Sequence, residues 1–202
     1  MGTLSITTFL TLDGVLQAPG APNEDTSGGF TRGGWLVPHF DEAFGGFMDA
    51  IFRRPAAFLL GRGTYEIFAW YWPRSRDPED LVATKLNTLP KHVVTSRPGL
   101  TWANSRAIAF ADIGAVKAAT AGELQVHGSA QLARTLLSTD LVDELNLVIA
   151  PALVGPGKRL FDGASPTGLK LLEVAGSPNG LLLCRYARDG ALRTGTIPDA
   201  PA

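Results

Sequence analysis

The chain has 202 residues, of which 45% are hydrophobic and 18% charged, a composition typical of one large globular domain rather than of a disordered protein. Its formal net charge is −1 and its Lys and Arg residues form no cluster, which argues against nucleic acid or an anionic membrane surface as the main partner. A single cysteine, Cys184, excludes an internal disulfide, and no apolar run reaches 18 residues. We therefore expect a cytoplasmic protein with no membrane partner.

The first predicted strand covers residues 4–12, where polar and apolar residues alternate and Thr, Ile and Phe are frequent. It ends at Asp13-Gly14, a pair typical of turns. The segment 17–34 then contains five glycines, two prolines and no periodic apolar residues. Loops of this length in a compact domain are often functional, so we predict a mobile lid over a substrate site.

The rest of the chain alternates between short apolar runs and helical patterns until a closing pair of strands. Helices are predicted at 41–51, 61–70, 112–121 and 130–137, with a helical or irregular segment at 77–89. Further strands are predicted at 56–60, 91–95, 107–109, 124–127, 142–150, 168–175 and 180–187. This order predicts an α/β fold with a mixed, mostly parallel sheet. We expect one domain over 1–188 and a flexible tail over 189–202.

The run FLLGRGTYEIF at 58–68 passes from an apolar strand through a glycine and an arginine into a helix. The first backbone N–H groups of a helix have no partner within it and lie at the positive end of its dipole, so such a turn binds anions. Arg62 adds a planar fork suited to phosphate, and Thr64 is placed to cap the helix or to bond a phosphate oxygen. The pattern predicts a phosphate site at Gly61, Arg62 and Thr64.

Two further strand ends carry similar chemistry, namely TSR at 95–97 and HGSA at 127–130. In open α/β sheets, ligands bind at the carboxyl ends of the strands. The arginines at 62 and 97 are suited to surround a further phosphate, such as the 2′-phosphate that separates NADP from NAD. The G-x-G-x-x-G fingerprint is missing from all three turns, which argues against an ordinary Rossmann site.

Six motifs in chain order resemble the dihydrofolate reductase superfamily, and more closely its branch shared with the reductase domain of bacterial riboflavin biosynthesis. The motifs are FLTLDGVLQAPG, GGWLVPHFDEAF, LLGRGTYEIF, VVTSRP, VHGSAQLARTLL and LVDELNLVIAPALVGPGKRLF, and the resemblance spans residues 4–187. It implies a dihydrofolate-reductase-like sheet of about eight strands flanked by helices, NADPH as the hydride donor, and a homodimer.

The resemblance assigns three groups of residues to the cofactor, each at a strand end. The family's G-R-x-T element, which grips the pyrophosphate and the 2′-phosphate, corresponds to Gly61, Arg62 and Thr64. The second contact, near the adenosine and the 2′-phosphate, corresponds to Thr95, Ser96 and Arg97. The glycine-rich turn over the pyrophosphate and nicotinamide corresponds to His127, Gly128, Ser129 and Ala130. In this turn only one glycine of the usual triplet remains, so His127 either crowds the cofactor or contacts it.

On the substrate side, Asp13 matches the family's acid–glycine pair after the first strand. Trp35 and Asp41 resemble its tryptophan and acidic residue, with the spacing changed by one. A hydride reductase needs a proton beside the hydride, which a half-buried carboxyl orients or donates, so Asp13 is the candidate catalytic residue. The alternative is that Asp13 only forms a turn. The aromatic stretch 70–72 either stacks a planar ligand or, as we favour, packs in the core.

These features predict an NADPH-dependent oxidoreductase that transfers a hydride to a small pterin- or pyrimidine-like heterocycle, or to a carbonyl or imine. The alternative is a non-catalytic binding protein on the same fold that sequesters a flavin, a pterin or a drug-like ligand. A third class is a structural dimer without a cofactor. A Ser-His-Asp or Cys-His pattern around a nucleophile elbow is missing, which argues against a hydrolase, and the spacing of His and acidic residues predicts no metal site.

Overall fold

The computed structural model describes residues 2–197, which form an eight-stranded sheet with five α-helices. The strands are β1 (Thr3–Thr11), β2 (Pro55–Gly61), β3 (Lys91–Val94), β4 (Ser105–Ile108), β5 (Glu123–Val126), β6 (Glu144–Ala150), β7 (Thr167–Gly176) and β8 (Leu182–Ala191). The helices are α1 (Glu42–Phe52), α2 (Arg62–Tyr71), α3 (Leu81–Thr88), α4 (Ile113–Ala119) and α5 (Ala130–Leu137).

The strand order in the sheet is β4-β3-β2-β5-β1-β6-β8-β7. Neighbouring strands are parallel from β4 to β6, and the pairs β6–β8 and β8–β7 are antiparallel. The predicted fold class, a mixed and mostly parallel sheet flanked by helices, is therefore confirmed. Because parallel strands carry their carboxyl ends to one edge, the turns that follow β1, β2, β3 and β5 lie at the same edge of the sheet.

The two faces of the sheet are covered by different helices because the side chains of each strand alternate between them. On one face, Ile6 of β1 and Leu124 of β5 pack in a cluster with Leu136 of α5. On the other face, Phe47 of α1 packs in a cluster with Val148 of β6. Burial of these apolar side chains holds α1 and α5 on opposite sides of the sheet. Within residues 2–197, the helices are too short or too polar to cross a membrane.

Every strand differs from its predicted bounds by one to four residues at one end or both, and the start of β4 and the end of β8 are two examples. Strand β4 begins at Ser105, two residues before the predicted strand at 107–109. Strand β8 continues to Ala191, beyond the predicted domain boundary at 188, because Ala191 still pairs with Thr167 of β7. The start of the predicted tail is thus corrected, and residues 192–197 form neither helix nor strand. The last part of that tail, 198–202, lies outside the described residues, and the single-domain assignment stays a prediction.

The loop 17–34 makes many more fixed contacts than a mobile lid requires. The side-chain amide of Gln17 donates to the carbonyl oxygen of Asp25 at 3.1 Å, and the indole N–H of Trp35 donates to the carbonyl oxygen of Gln17 at 2.8 Å. Phe30 is buried in the same cluster as α1. Hydrogen-bonded segments with buried aromatic side chains open rarely. These contacts argue against the predicted mobile lid.

The preference for a core role of the aromatic stretch 70–72 is wrong for two of its three residues. Trp70 is 65% exposed and Tyr71 is 55% exposed, whereas Trp72 is partly buried. Helix α2 continues to Tyr71, and the last residues of the helix carry these two side chains into solvent. There the guanidinium of Arg74 lies 5.2 Å from the ring centre of Trp70. The helical spacing alone did not indicate which side of α2 faces the sheet.

One basic side chain lies inside the fold at the amino end of β3. Lys91 is fully buried, and its Nζ donates to the carbonyl oxygens of Leu86 at 2.7 Å and Leu89 at 2.9 Å. The same Nζ lies 4.4 Å from the ring centre of Trp102. Burial disfavours the charged form and lowers the pKa of Lys91 from 10.5 to about 8.

Between about pH 8 and about pH 10, we expect the free energy of unfolding of the wild type to rise with pH relative to that of the Lys91→Met variant. In this window the unfolded chain still holds the proton that the folded protein has released, so increasing pH favours the folded state. The gain should be on the order of 2 kcal/mol, since one pKa unit corresponds to about 1.4 kcal/mol. Urea unfolding at each pH measures it. A constant difference between the two proteins would contradict the lowered pKa.

Candidate active site

The turns after β2 and β5 are in direct contact at the carboxyl edge of the sheet. The backbone N–H of Gly61 donates to the carbonyl oxygen of Gly128 at 3.2 Å. A Cβ atom on Gly61 would lie 2.3 Å from Oγ of Ser129, and one on Gly128 would lie 2.7 Å from Oγ1 of Thr64. Gly128 also has a φ of +114°, which favours glycine. Only glycine allows the two turns to approach this closely.

This contact places the N-termini of two helices side by side. Helix α2 begins directly after Gly61 and helix α5 directly after Ser129, and neither N-terminus has a side-chain cap. The first N–H groups of each helix therefore remain available, and the two dipoles present their positive ends at the same place. Such a pair of N-termini suits an anion with two phosphate groups. Among the predicted cofactor residues, the structure brings Gly61, Thr64, Gly128, Ser129 and Ala130 together here.

Arg62 connects this pair of turns to the loop that follows β3. Its Nη1 donates to the carbonyl oxygens of Arg97 at 3.2 Å and Pro98 at 3.0 Å, and its Nε donates to Oε1 of Glu66 at 2.7 Å. The predicted convergence of Arg62 with the 95–97 segment is therefore present. Arg62 holds the loop through backbone carbonyls, so its guanidinium is only partly free for a phosphate.

The loop after β3 presents its remaining polar groups to solvent. The backbone N–H of Arg97 donates to Oγ1 of Thr95 at 3.1 Å, which closes a small turn. Ser96 and Arg97 are exposed, and Thr95 is half-buried. Hydrogen bonding to Arg62 lowers the pKa of Glu66, and the positive charge of Arg97 acts in the same direction. The side chain of Arg97 is thus the cation with more freedom to meet a ligand.

The ring of His127 turns away from the cofactor turn in which its backbone lies. It stacks on Phe52 with ring centres 4.5 Å apart and lies 5.7 Å from the ring centre of Phe58. Its Nε2 is 2.9 Å from Oε1 of Gln125, two residues earlier on β5. These contacts support neither of the two alternatives left open by the sequence, crowding of the cofactor by this side chain or contact with it.

Asp13 lies at the carboxyl edge but directs its carboxylate toward the loop after β6. Oδ1 accepts from Oγ1 of Thr11 at 2.5 Å, and Oδ2 accepts from the backbone N–H of Gly155 at 2.9 Å. Nη2 of Arg159 is 3.7 Å from Oδ2. The Thr11 hydroxyl and the backbone N–H groups of Gly155 and Val154 lower the pKa of Asp13. The carboxylate is therefore ionised at neutral pH and already holds two segments together.

Asp13→Asn is expected to lower the melting temperature near pH 7, because the amide replaces a charge-assisted acceptor by a weaker one. The folded-state pKa of Asp13 lies below its ordinary value of 3.8, so its stabilisation is present above that pH and is lost as pH falls through the folded-state pKa. The difference between wild type and variant should accordingly shrink below about pH 4. Thermal unfolding from pH 7 downward measures it, and a difference that is independent of pH would contradict this prediction.

Trp35 and Asp41, the two tentative substrate residues, have structural partners. Trp35 is buried in the cluster beneath α1, and its indole N–H is bonded to the loop 17–34. Asp41 caps helix α1, since Oδ1 accepts from the backbone N–H of Phe44 at 2.9 Å. Its Oδ2 accepts from the backbone N–H of Asn179 at 3.0 Å, in the turn between β7 and β8. The geometry does not bring either side chain to the paired helix N-termini.

Two residues near the site did not emerge from the sequence. Glu66 binds Arg62, and the spacing of four residues on a helix would have indicated the pair. Gln125 binds His127, and the alternation of side chains along a strand would have placed both on one face. Within residues 2–197, His, Cys, Asp and Glu side chains nowhere gather in the threes or more that could hold a metal ion.

Comparison with known proteins agrees with this geometry. A family model described as the RibD C-terminal domain matches residues 113–183, which contain the β5–α5 turn. An uncharacterised protein of Bacillus subtilis (strain 168), YyaP, is 27% identical over 163 residues, covering 77% of this chain and 84% of that protein.

Solved structures share the whole architecture at low sequence identity. A pyrimidine reductase-like protein from Corynebacterium diphtheriae NCTC superimposes with a TM-score of 0.63 and 16% identity, covering 93% of this chain and 92% of that one. Dihydrofolate reductase from Enterococcus faecalis, complexed with NADP(H) and RAB-propyl, gives a TM-score of 0.60 and 14% identity, covering 93% and 97%. The resemblance inferred from the six motifs is confirmed at the level of the fold, which is dihydrofolate-reductase-like. The family model that matches residues 113–183 is the one described as the RibD C-terminal domain.

Proposed function

We propose that the protein is a reductase that takes a hydride from NADPH and delivers it to a small pterin- or pyrimidine-like heterocycle, or to a carbonyl or imine. The observation that carries the proposal is the pair of uncapped helix N-termini joined at Gly61 and Gly128. The Enterococcus dihydrofolate reductase with this fold is complexed with NADP(H), which supports the choice of cofactor. We further propose that the protein works in the cytoplasm.

The residues present fit nicotinamide adenine dinucleotide phosphate (NADP). The two turns lie so close together that a single Cβ atom at Gly61 or Gly128 would fill the space between them. The unbonded N–H groups at the starts of α2 and α5 are suited to the pyrophosphate. In this proposal Arg97, with the hydroxyls of Thr95 and Ser96, would bind the 2′-phosphate, and the bonds from Arg62 to the loop carbonyls would hold that loop in position. When bound, the cofactor would supply the hydride.

The test is a titration of the protein with NADPH and NADH, followed by tryptophan fluorescence, and an assay of NADPH oxidation with dihydropterins and pyrimidine-type ketones. We expect tighter binding of NADPH than of NADH, and oxidation with at least one substrate class. Equal titration curves for the two nucleotides would contradict the proposed 2′-phosphate site. Absence of binding by either would remove the reductase proposal altogether.

Asp13 is the proposed catalytic residue for this reaction, in an orienting rather than a donating role. Its lowered pKa makes it a poor proton donor at neutral pH, but its charge can orient a substrate N–H or a water that delivers the proton. In the turnover assay, Asp13→Asn should retain NADPH affinity and lose at least about tenfold in rate, a floor set below the roughly 10²–10⁴-fold that is typical of general acid–base effects. Normal turnover with a lower melting temperature would assign Asp13 to the turn alone.

A binding protein that sequesters a flavin, a pterin or a drug-like ligand is the second candidate. The observation that favours it is that both oxygens of the Asp13 carboxylate are already bonded within the protein. A tight complex with such a ligand, without oxidation of bound NADPH, would select this candidate. A structural dimer without a cofactor, the third class, predicts that NADPH leaves the tryptophan fluorescence unchanged.

We also propose a homodimer, formed through the apolar face of the β7–β8 pair. Leu171 and Val174 on the edge strand β7 lie opposite Tyr186 and Cys184, which places them on one face, and they are 49% and 55% exposed. A group of exposed apolar side chains on an unpaired edge strand is a typical interaction surface. A second copy of the chain could cover this face through the same residues.

Replacing Leu171 and Val174 together by Lys should convert such a dimer into a folded monomer, because it places two charges in an apolar contact. Sedimentation velocity measures the mass, and circular dichroism checks the fold. Lys170→Glu, on the opposite face of the same strand, is the matched control and should stay dimeric. A monomeric wild type would refute the proposed dimer directly.

A further inference from the structure

A cavity of about 120 Å³ lies between the C-terminal end of α5 and the β7–β8 pair. The ends of α5 and β8 and the starts of β6 and β7 contribute to its wall, through Leu137, Arg188, Leu145 and Leu169. Because β6 runs parallel to β1, the start of β6 lies at the edge of the sheet opposite to the carboxyl edge. Helix α5 has eight residues and is about 12 Å long, so it separates the cavity from the β5–α5 turn. The cavity is therefore distinct from the candidate active site.

The cavity reaches from the hydrophobic core to the surface of the protein. Val142 and Leu145 at its inner side are 7% and 3% exposed, whereas Phe161 and Leu169 are 46% and 45% exposed. A ligand can therefore enter past the two exposed side chains without any opening of the core. An apolar cavity of about 150 Å³ is large enough for benzene, so this one suits an apolar group of about the size of a single ring.

One cation, Arg188, is among the residues that line the cavity. The carboxylate of Asp143 also lines it, but its Oδ2 lies 2.6 Å from Nζ of Lys117 and accepts from the backbone N–H of Leu4 at 2.7 Å. The charge of Asp143 is thus balanced by that of Lys117. The guanidinium of Arg188 favours a negatively charged ligand, and its planar fork matches the geometry of a carboxylate.

The present partners of Arg188 are easily replaced. Its Nη2 pairs with Oδ1 of Asp140, whose side chain is 93% exposed, and its Nη1 donates to the carbonyl oxygen of Thr139 at 3.4 Å, which is long for a hydrogen bond. An ion pair with so exposed a partner contributes little to stability, because water solvates the carboxylate once the pair is broken. A ligand carboxylate that is anchored by an apolar group in the cavity can therefore take the place of Asp140.

We propose that this cavity binds a small carboxylate whose apolar part has the size of a single ring. The apolar part packs against Leu137, Leu145 and Phe161, and the carboxylate replaces Asp140 on the guanidinium of Arg188. The charge-assisted pair favours such a ligand over a neutral molecule of the same shape. The site is additional to the proposed reductase site and does not depend on it.

Benzoate and benzyl alcohol are the two probes, because they share the ring and differ in charge. In protein labelled with ¹⁵N, we expect benzoate to shift the amide NMR signals of Leu137, Leu145 and Leu169 saturably and to leave those of Gly61 and Gly128 unchanged. Benzoate should bind about tenfold more tightly than benzyl alcohol, as expected for one charge-assisted hydrogen bond. Shifts at the two glycines instead, or equal affinities for the two probes, would overturn the proposal.

Asp140→Asn removes the internal competitor for Arg188 and should raise the affinity for benzoate about two- to fivefold, with no effect on benzyl alcohol. Because Asp140 is 93% exposed, this variant should fold normally. Arg188→Gln should reduce the affinity for benzoate to that for benzyl alcohol. Asp189→Asn is the matched control, since it removes the same charge next to Arg188 but on the opposite face of β8. An unchanged benzoate affinity in Asp140→Asn, or equal effects of the two acid variants, would contradict the role of Arg188.

The location and the occupant of the cavity are tested separately. Ala164 lines the cavity, so the ring introduced by Ala164→Phe should fill it and abolish binding of both probes. Leu169 lies on the same face of β7 as Leu171, so a second copy of the chain is the competing occupant. In that case the apparent affinity for benzoate would fall as the protein concentration rises, whereas an affinity independent of protein concentration supports the small carboxylate. Binding that survives Ala164→Phe, or that weakens with protein concentration, would overturn the proposal.

Discussion

Gly61→Ala should weaken NADPH binding by at least about tenfold and lower the free energy of unfolding by about 1–3 kcal/mol. The added Cβ would lie 2.3 Å from Oγ of Ser129 and 3.1 Å from its backbone nitrogen. The hydroxyl can rotate away, but the backbone cannot, so the β2–α2 and β5–α5 turns must separate. A separation of a few tenths of an ångström shifts the two helix N-termini relative to each other, so that a pyrophosphate meets them in poorer geometry. Fluorescence titration and urea unfolding measure the two effects.

Gly63→Ala is the matched control for this substitution. Gly63 lies two residues further on, in the first turn of α2, and no atom lies within 4 Å of the position that its Cβ would take. Alanine in a helix is favoured over glycine by up to about 1 kcal/mol, so this variant should bind NADPH normally and be slightly more stable. Equal effects of the two substitutions would mean that the contact between the turns does not matter for the cofactor.

Arg97→Ala should weaken NADPH binding about tenfold and leave NADH binding within about twofold, since a charge-assisted hydrogen bond contributes about 1.5–3 kcal/mol. Arg97 is exposed, and the described residues give its guanidinium no hydrogen-bond partner, so its charge is available to the 2′-phosphate that NADH lacks. Parallel titrations with the two nucleotides measure the ratio of affinities. Arg76→Ala, which removes an exposed arginine outside the site, is the control.

Arg62→Ala should behave differently from Arg97→Ala. Because Arg62 bonds the carbonyl oxygens of Arg97 and Pro98, its loss releases the loop and should weaken both nucleotides, NADPH more strongly. The double variant should lose less than the sum of the two single losses, since the arginines act on one loop. Strict additivity would show that Arg62 and Arg97 bind the phosphate independently.

The positions of the three turns could be predicted because they depend on local chemistry and on one general property of sheets. Apolar runs that stop at a glycine before a helical pattern indicate a strand-to-helix turn, as at Gly61 and at Gly128. Parallel strands then bring such turns to one edge, whichever strands are neighbours. The sequence did not predict that Arg62 is held by carbonyl oxygens 35 and 36 residues away, since any exposed loop offers such acceptors.

The sequence by itself determined the class of fold, the edge at which polar residues gather and the glycines at two of the strand-to-helix turns. Only the tertiary structure decided which of the polar side chains remain free. Asp13 and Asp41 looked like substrate residues by type and place, but their carboxylates are taken by backbone N–H groups at Gly155 and Asn179. Those partners lie 142 and 138 residues away along the chain, so no local sequence pattern predicts them. A buried polar atom needs a hydrogen-bond partner, and which group becomes that partner is determined only when segments distant in the sequence pack together.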